Sequence, residues 1–241
     1  MHRHNDKIMN KPILFIMFIS FLSFSINSSW AQQKDSLDIF PPDSKPFGLS
    51  YEDHVINFWK LMLSIPIEQN PMEDETGRIC TYGQNTSRSS VFYLTANAGG
   101  ASVKTCKIPS GLGIFIPIIT VTASDQENPG ATIEKLHEIA KKDQDSVTSL
   151  YLKINSNEFK YEDLLGYRIP TKEFQVIYPN NALDGAKPGP STVVADGHYV
   201  ITKPLTPGNY NIQFKASIVC LGVDCVEPIF ATENTFNLIV E

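Results

Sequence analysis

Apolar residues recur at helical spacing in two stretches of the chain and at strand spacing through most of the rest. Val55, Phe58, Trp59, Met62 and Leu63 fall on one face of a helix. Ser50 stands where an N-cap belongs, with Asp53 three residues on. Pro66 stops the helix because it has no N–H and restricts Ile65 before it. Trp59 then reads as a core anchor where this helix covers a sheet. A second helix is predicted over 131–145. Its apolar stripe is Ile133, Leu136, Ile139 and Ala140, and Glu134, Lys135, Glu138, Lys141 and Lys142 form its solvated face.

Between the helices, residues 66–90 are irregular, and 91–94, 102–108 and 113–122 read as strands. The last of these is the most hydrophobic run beyond residue 31. It requires cover on both faces, and Pro117 inside it marks a bulge or an edge. Further strands are predicted at 149–155, 167–169, 174–178, 199–203, 210–217 and 235–240. Turn formers separate them, among them Asn155-Ser156-Asn157, Pro188-Gly189-Pro190, Asp196-Gly197 and Pro207-Gly208. Short runs at intervals of roughly 8–12 residues predict a mainly β protein with two flanking helices. The architecture expected is a β-sandwich, immunoglobulin-like or jelly-roll-like. The segment from Pro204 to Phe214 resembles the penultimate hairpin of extracellular immunoglobulin-like modules, where a Pro-Gly turn delivers a strand with an inward aromatic.

The first residues follow another pattern. Arg3, Lys7 and Lys11 precede an uncharged apolar run over 12–26, and Ser29-Trp30-Ala31 places small residues at −3 and −1 of a cleavage site after Ala31. The run is about 15 residues, short of the roughly 20 that span a bilayer. Residues 1–31 are therefore expected to be a cleaved signal peptide, with an uncleaved signal anchor as the alternative, and the protein to be secreted or on the exterior of the cell envelope. Residues 32–46, polar and Pro-bearing, are expected to be a flexible leader, and 47–241 a single β-rich domain with no transmembrane segment.

Charge narrows the partners. The full chain carries a net charge of −6, and removal of Arg3, Lys7, Lys11 and Asp6 with the signal leaves −8. Nucleic acids and anionic membrane surfaces require a basic footprint, so neither is expected as a partner. A hydrophobic content of 42% excludes wholesale disorder. All four cysteines, Cys80, Cys106, Cys220 and Cys225, lie beyond the signal, and an even count in an exported chain favours two disulfides. Three pairings are open, and proximity favours Cys80 with Cys106 and Cys220 with Cys225. A zinc site would want a paired C-x-x-C and a nearby His, which the sequence lacks.

Several motifs occur in order: Gly77-x-x-Cys80-x-x-Gly83-Gln84, then Cys106-x-Ile108-Pro109-x-Gly111 and Phe115-x-Pro117, and later Asp196-Gly197-x-Tyr199-Val200 with Pro204-Leu205-x-Pro207-Gly208. In this the chain resembles a group of uncharacterised exported proteins of bacteria and archaea, over residues 50–241. The resemblance implies an architecture and an address, and no catalytic residues.

Candidate chemistry is sparse. His54, His137 and His198 are far apart in sequence, with no paired spacing, and read as surface, boundary or turn residues. Glu73, Asp74 and Glu75 crowd one loop near Asn70, a candidate calcium loop of oxygen ligands without EF-hand spacing. No G-x-S-x-G elbow is present. Asn85-Thr86-Ser87 is a candidate glycosylation site at Asn85. Tyr82, Phe92, Tyr93, Tyr161 and Tyr178 are candidates for a binding face, each more readily read as a core or boundary residue. The function expected is that of an exported, non-catalytic domain without a cofactor, an envelope or extracellular module that binds an extracellular ligand or protein or serves structurally. The alternative is a secreted, glycosidase-like hydrolase using paired carboxylates, stabilised by calcium.

Overall fold

The hydroxyl of Ser50 accepts from the Asp53 N–H at 3.1 Å and the Asp53 carboxylate accepts the Ser50 N–H at 3.2 Å, so the box seen in sequence starts helix α1, Tyr51–Leu63. This computed structural model describes residues 39–219 and 228–241. They belong to one compact unit, Ser36–Glu241. Helix α2, Ile133–Asp145, is capped by Thr132, whose hydroxyl accepts from Lys135 N, and a one-turn helix α3 follows at Tyr161–Leu164.

Among the described residues nine strands form two packed sheets. They are β1 Val91–Tyr93, β2 Gly100–Ile108, β3 Gly113–Ser124, β4 Val147–Ile154, β5 Asn157–Phe159, β6 Phe174–Tyr178, β7 Gly189–Ile201, β8 Gly208–Val219 and β9 Pro228–Val240. The first sheet runs β1-β3-β7-β6 and the second β2-β9-β8-β4-β5. The pairs β1–β3 and β2–β9 are parallel and all others antiparallel. The architecture is a mainly β sandwich with helices against it, as the spacing of strands and turns predicts.

β3 explains why its apolar run is unbroken. Ile114 and Ile116 face the second sheet, with Leu152, Phe214 and Phe236, while Phe115 faces α1, with Phe58, Trp59 and Tyr199. Both faces are dry, and each fully buried branched side chain contributes roughly 1.5–3 kcal/mol. At Pro117 the register against β7 shifts, and Ile118 and Ile119 then fall in the same core cluster although adjacent in sequence.

Three expectations differ from the structure. Residues 39–46, assigned from sequence to a flexible leader, are docked: Ile39 bridges Thr202, Phe40 N donates to Ile201 O at 2.8 Å, and Phe40 packs edge-on against Phe47. Residues 32–38 and the signal lie outside the described residues. The strand predicted at 167–169 is a 3-10 turn over Leu165–Tyr167 followed by a single bridge from Arg168 to His198. Asp196-Gly197 is no turn but the middle of β7, where a Cβ on Gly197 would stand 2.7 Å from Ile119 O on β3. Asp196 is held there by Arg168, whose guanidinium donates to it at 2.7 and 3.0 Å.

Candidate functional site: a groove on the open edge of β3

Cys80 and Cys106 form a disulfide, tying the irregular segment 66–90 to β2. Cys220 and Cys225 lie outside the described residues. Gly77 explains the start of the Gly-x-x-Cys motif: at φ +84 its Cα sits so close to β2 that a Cβ would stand 2.6 Å from Thr105 O. Thr105 N donates to Thr76 O at 2.9 Å, so this segment covers the outer edge of β2.

The candidate calcium residues Asn70, Glu73, Asp74 and Glu75 line one open depression, but Asn70 and Asp74 are engaged by the backbone around them. The Asn70 amide donates to Met62 O at 2.8 Å and Ile65 O at 3.2 Å, collecting the carbonyls that α1 leaves at its end, and its oxygen accepts from Met72 N. The Asp74 carboxylate accepts from Thr76 N, Thr76 Oγ1 and Ile79 N. Burial pushes its titration up, and hydrogen bonds from Ile79 and Thr76 outweigh this and hold it below the usual carboxylate range. Glu73 and Glu75 are exposed. Among the described residues no three His, Cys, Asp or Glu gather as metal ligands.

The histidines are dispersed, but two are deeper than the sequence implies. His54 is buried with Nε2 2.9 Å from Pro46 O, and burial lowers its pKa. His198 is inside β7 rather than at a turn. It is buried with Nδ1 3.3 Å from Gln144 Oε1, and burial lowers it to about 4. His137 is half-buried on α2. Of the candidate aromatics, Phe92 and Tyr178 are core, Tyr161 is half-buried, and Tyr93 packs against Phe58 and Phe115 with its phenol raised to about 12 by burial. Tyr82 is exposed. Asn85 is exposed in a turn, its Oδ1 accepting from Ser87 Oγ at 2.9 Å.

A concave feature walled largely by apolar side chains arises where β1 ends. β1 pairs with β3 only through Gly113, Ile114 and Phe115, and Leu94 N makes the last bond, to Phe115 O at 3.0 Å. The chain then crosses to the other sheet. From Pro117 to Ser124, β3 keeps β7 on one side and has no strand on the other among the described residues. A cavity of about 240 Å³ lies along that edge. Its walls are Ala96, Asn97 and Ala98 after β1, Met72 and Glu73, and Phe230 and Thr232 of β9. Phe58, Trp59 and Leu183 line it from the helix side, and the Trp59 indole donates to Tyr199 Oη at 3.4 Å.

Buried polar groups fix these walls. Lys104 points into the core from β2, fully buried. Its ammonium donates to Thr95 O at 2.6 Å and Pro71 O at 3.0 Å, the carbonyls just ahead of Ala96 and Met72. It stands 5.9 Å over the Phe236 ring, and burial lowers its pKa to about 8. Asn234 accepts from Asn97 N and Ser102 Oγ and donates to Thr232 Oγ1. Asn97 Oδ1 is buried and has no partner among the described residues. The charged lining residues are Glu73, Glu127 and Asp184, all acidic and all exposed. Glu127 caps Ser124, accepting from its N and Oγ. Sequence reasoning found Trp59, Glu73 and the irregularity at Pro117 singly. It missed Lys104 and Phe230, which no local signal marks.

No protein-family model and no curated protein matches this chain. Among solved structures it is similar to that of PbICP-C in complex with falcipain-2, at 12% identity and a TM-score of 0.24, over 64% of this chain and 100% of that one. At that TM-score nothing about fold or function follows from the likeness.

Proposed function

We propose that the chain is an exported, non-catalytic β-domain that binds a protein partner outside the membrane. The observation that carries this is the cavity beside residues 117–122, a preformed, apolar-walled groove on a sheet edge that has no neighbouring strand among the described residues. The export pattern over residues 1–31 and the Cys80–Cys106 bridge support the address, since disulfides persist in oxidising compartments. No described helix is long and apolar enough to cross a membrane. The hydrolase alternative draws no support from the carboxylates. Those displaced from their ordinary range, such as Asp74, Asp125 and Asp145, sit low, whereas a glycosidase acid is held high.

Two measurements test this. The protein recovered from outside the membrane of the producing cell should begin at Gln32; recovery inside the cell with Met1 intact overturns the address. Residues 32–241, oxidised and immobilised, should enrich a consensus from a random-peptide display library. Failure to enrich any sequence overturns the binding role.

A further inference from the structure

We infer that the open edge of β3 takes up one extended segment of a partner protein as an added strand, with apolar side chains at alternate positions and Lys or Arg flanking them. This rests on the reading of the chain as a binding module and names the chemistry of what it binds.

Six consecutive residues of β3, 117–122, line the cavity. Successive side chains of a strand point to opposite faces, so a cavity on one face would be lined by alternate residues. An unbroken run of six means that the cavity opens on the strand's edge and reaches its backbone. Beyond the register shift between Pro117 and Ile119, Ser124 turns its N and O away from β7, to Glu127 and Asn128, so by alternation the backbone groups of Thr120 and Thr122 also point away from β7 into this space. Six residues of strand run roughly 20 Å, the length of an extended segment of about six residues. Asn97 lies on the facing wall, and its Oδ1 is buried with no hydrogen-bond partner among the described residues.

The walls are held before anything binds. Lys104 fixes Thr95 and Pro71, and Asn234 fixes Asn97, so little ordering remains to be done on binding. The apolar positions on either side of the edge, Met72, Trp59 and Phe230 among them, match side chains that alternate on both faces of an incoming strand. Pro117 has no N–H, which limits ladder bonds at the end of the site nearest β1.

Charge selects the occupant. Glu73, Glu127 and Asp184 line the groove, and among the described residues no Lys, Arg or His does. A second copy docking edge to edge would set these carboxylates against their own counterparts, which disfavours association. A segment with basic residues flanking an apolar core is complementary.

The test uses oxidised residues 32–241 and three synthetic peptides: alternating valine and threonine with lysines at both ends, the same core with glutamates at both ends, and the lysine peptide N-methylated at every second amide. The lysine peptide should bind and slow hydrogen exchange at residues 118–122. The glutamate peptide should bind at least about tenfold more weakly, and the N-methylated one should lose binding, because it cannot complete a ladder. Glu73→Gln with Asp184→Asn should weaken the lysine peptide about fivefold with the melting midpoint unchanged. Equal binding of all three peptides, protection elsewhere than β3, or no binding by the lysine peptide overturns the inference. So does a concentration-dependent dimer that protects residues 118–122 without peptide. A display consensus whose binding protects another surface would sink strand addition and leave the binding role standing.

Discussion

Gln84 completes the pairing of Tyr93 as a neighbouring strand would: its side-chain amide donates to Tyr93 O at 3.0 Å and its Oε1 accepts from Tyr93 N at 2.8 Å. The same amide donates to Cys80 O at 2.9 Å. β1 is only three residues long and borders the groove, so a side chain standing in for a strand fixes the point at which it leaves β3. Gln84→Leu should cost about 2 kcal/mol, since it strands three backbone groups. Gln84→Glu keeps the acceptor but sets an anion against two carbonyls. Its deficit should shrink on acidification, as the protonated carboxyl regains a donor. Urea melts at several pH values would measure both.

Lys104 should make stability depend on pH in an unusual direction. Burial holds its folded pKa at about 8, well below that of an exposed lysine. Between pH 8 and about 10 the unfolded chain holds a proton that the folded one has released, so stability rises with pH. Against Lys104→Met, the wild type should gain up to about 3 kcal/mol across that window. A difference between the two proteins that is flat with pH would place the lysine in contact with solvent.

His198 acts on the acid side. Burial, and then the nearby Arg168 guanidinium, lower it to about 4, so the unfolded chain takes up a proton near pH 6.5 that the folded chain refuses. Stability should therefore fall as pH drops from 6.5 to 4, by about 3 kcal/mol for this group. His198→Gln should remove that part of the slope, and His54, lowered in the same direction, should supply what remains. Parallel acid profiles for variant and wild type would refute this account.

The Cys80–Cys106 bridge closes a loop with a sequence separation of 26. Replacing both cysteines by alanine should cost about 3 kcal/mol in the chain-entropy model. It should also expose residues 66–90 to proteolysis ahead of the sheets, because Thr76 O to Thr105 N is then among the few bonds fixing them to β2. Denaturation of wild type with and without reductant, followed by mapping of the first cleavage, checks both effects.

Sequence pattern was most legible where the cause is local. The Ser50–Asp53 box, the apolar stripe of the helix predicted over 131–145 and the strand predicted at 174–178 are all local, and the structure agrees with each. It failed where a distant residue decides. Pro188-Gly189-Pro190 and Asp196-Gly197 have turn chemistry, yet β7 runs from Gly189 through Asp196 because Arg168 neutralises that carboxylate and β3 crowds the glycine. In β2 the alternation offers two faces of similar polarity. Ser102, Lys104 and Cys106 turn inward while Val103 is 64% exposed, the opposite of what side-chain polarity favours. The groove was illegible for the same reason: Trp59, Glu73, Pro117 and Phe230 meet only in the fold.

β9 lies between β2 and β8 in the five-stranded sheet, and its place there governs the order of assembly. Gly100 of β2 waits for Thr232, about 130 residues later in synthesis, before it acquires a partner strand. Until residues 228–240 have emerged, β2 and β8 each present an open edge. The sheet therefore closes late, and a chain held unfolded until its synthesis ends gives up no completed five-stranded sheet by waiting.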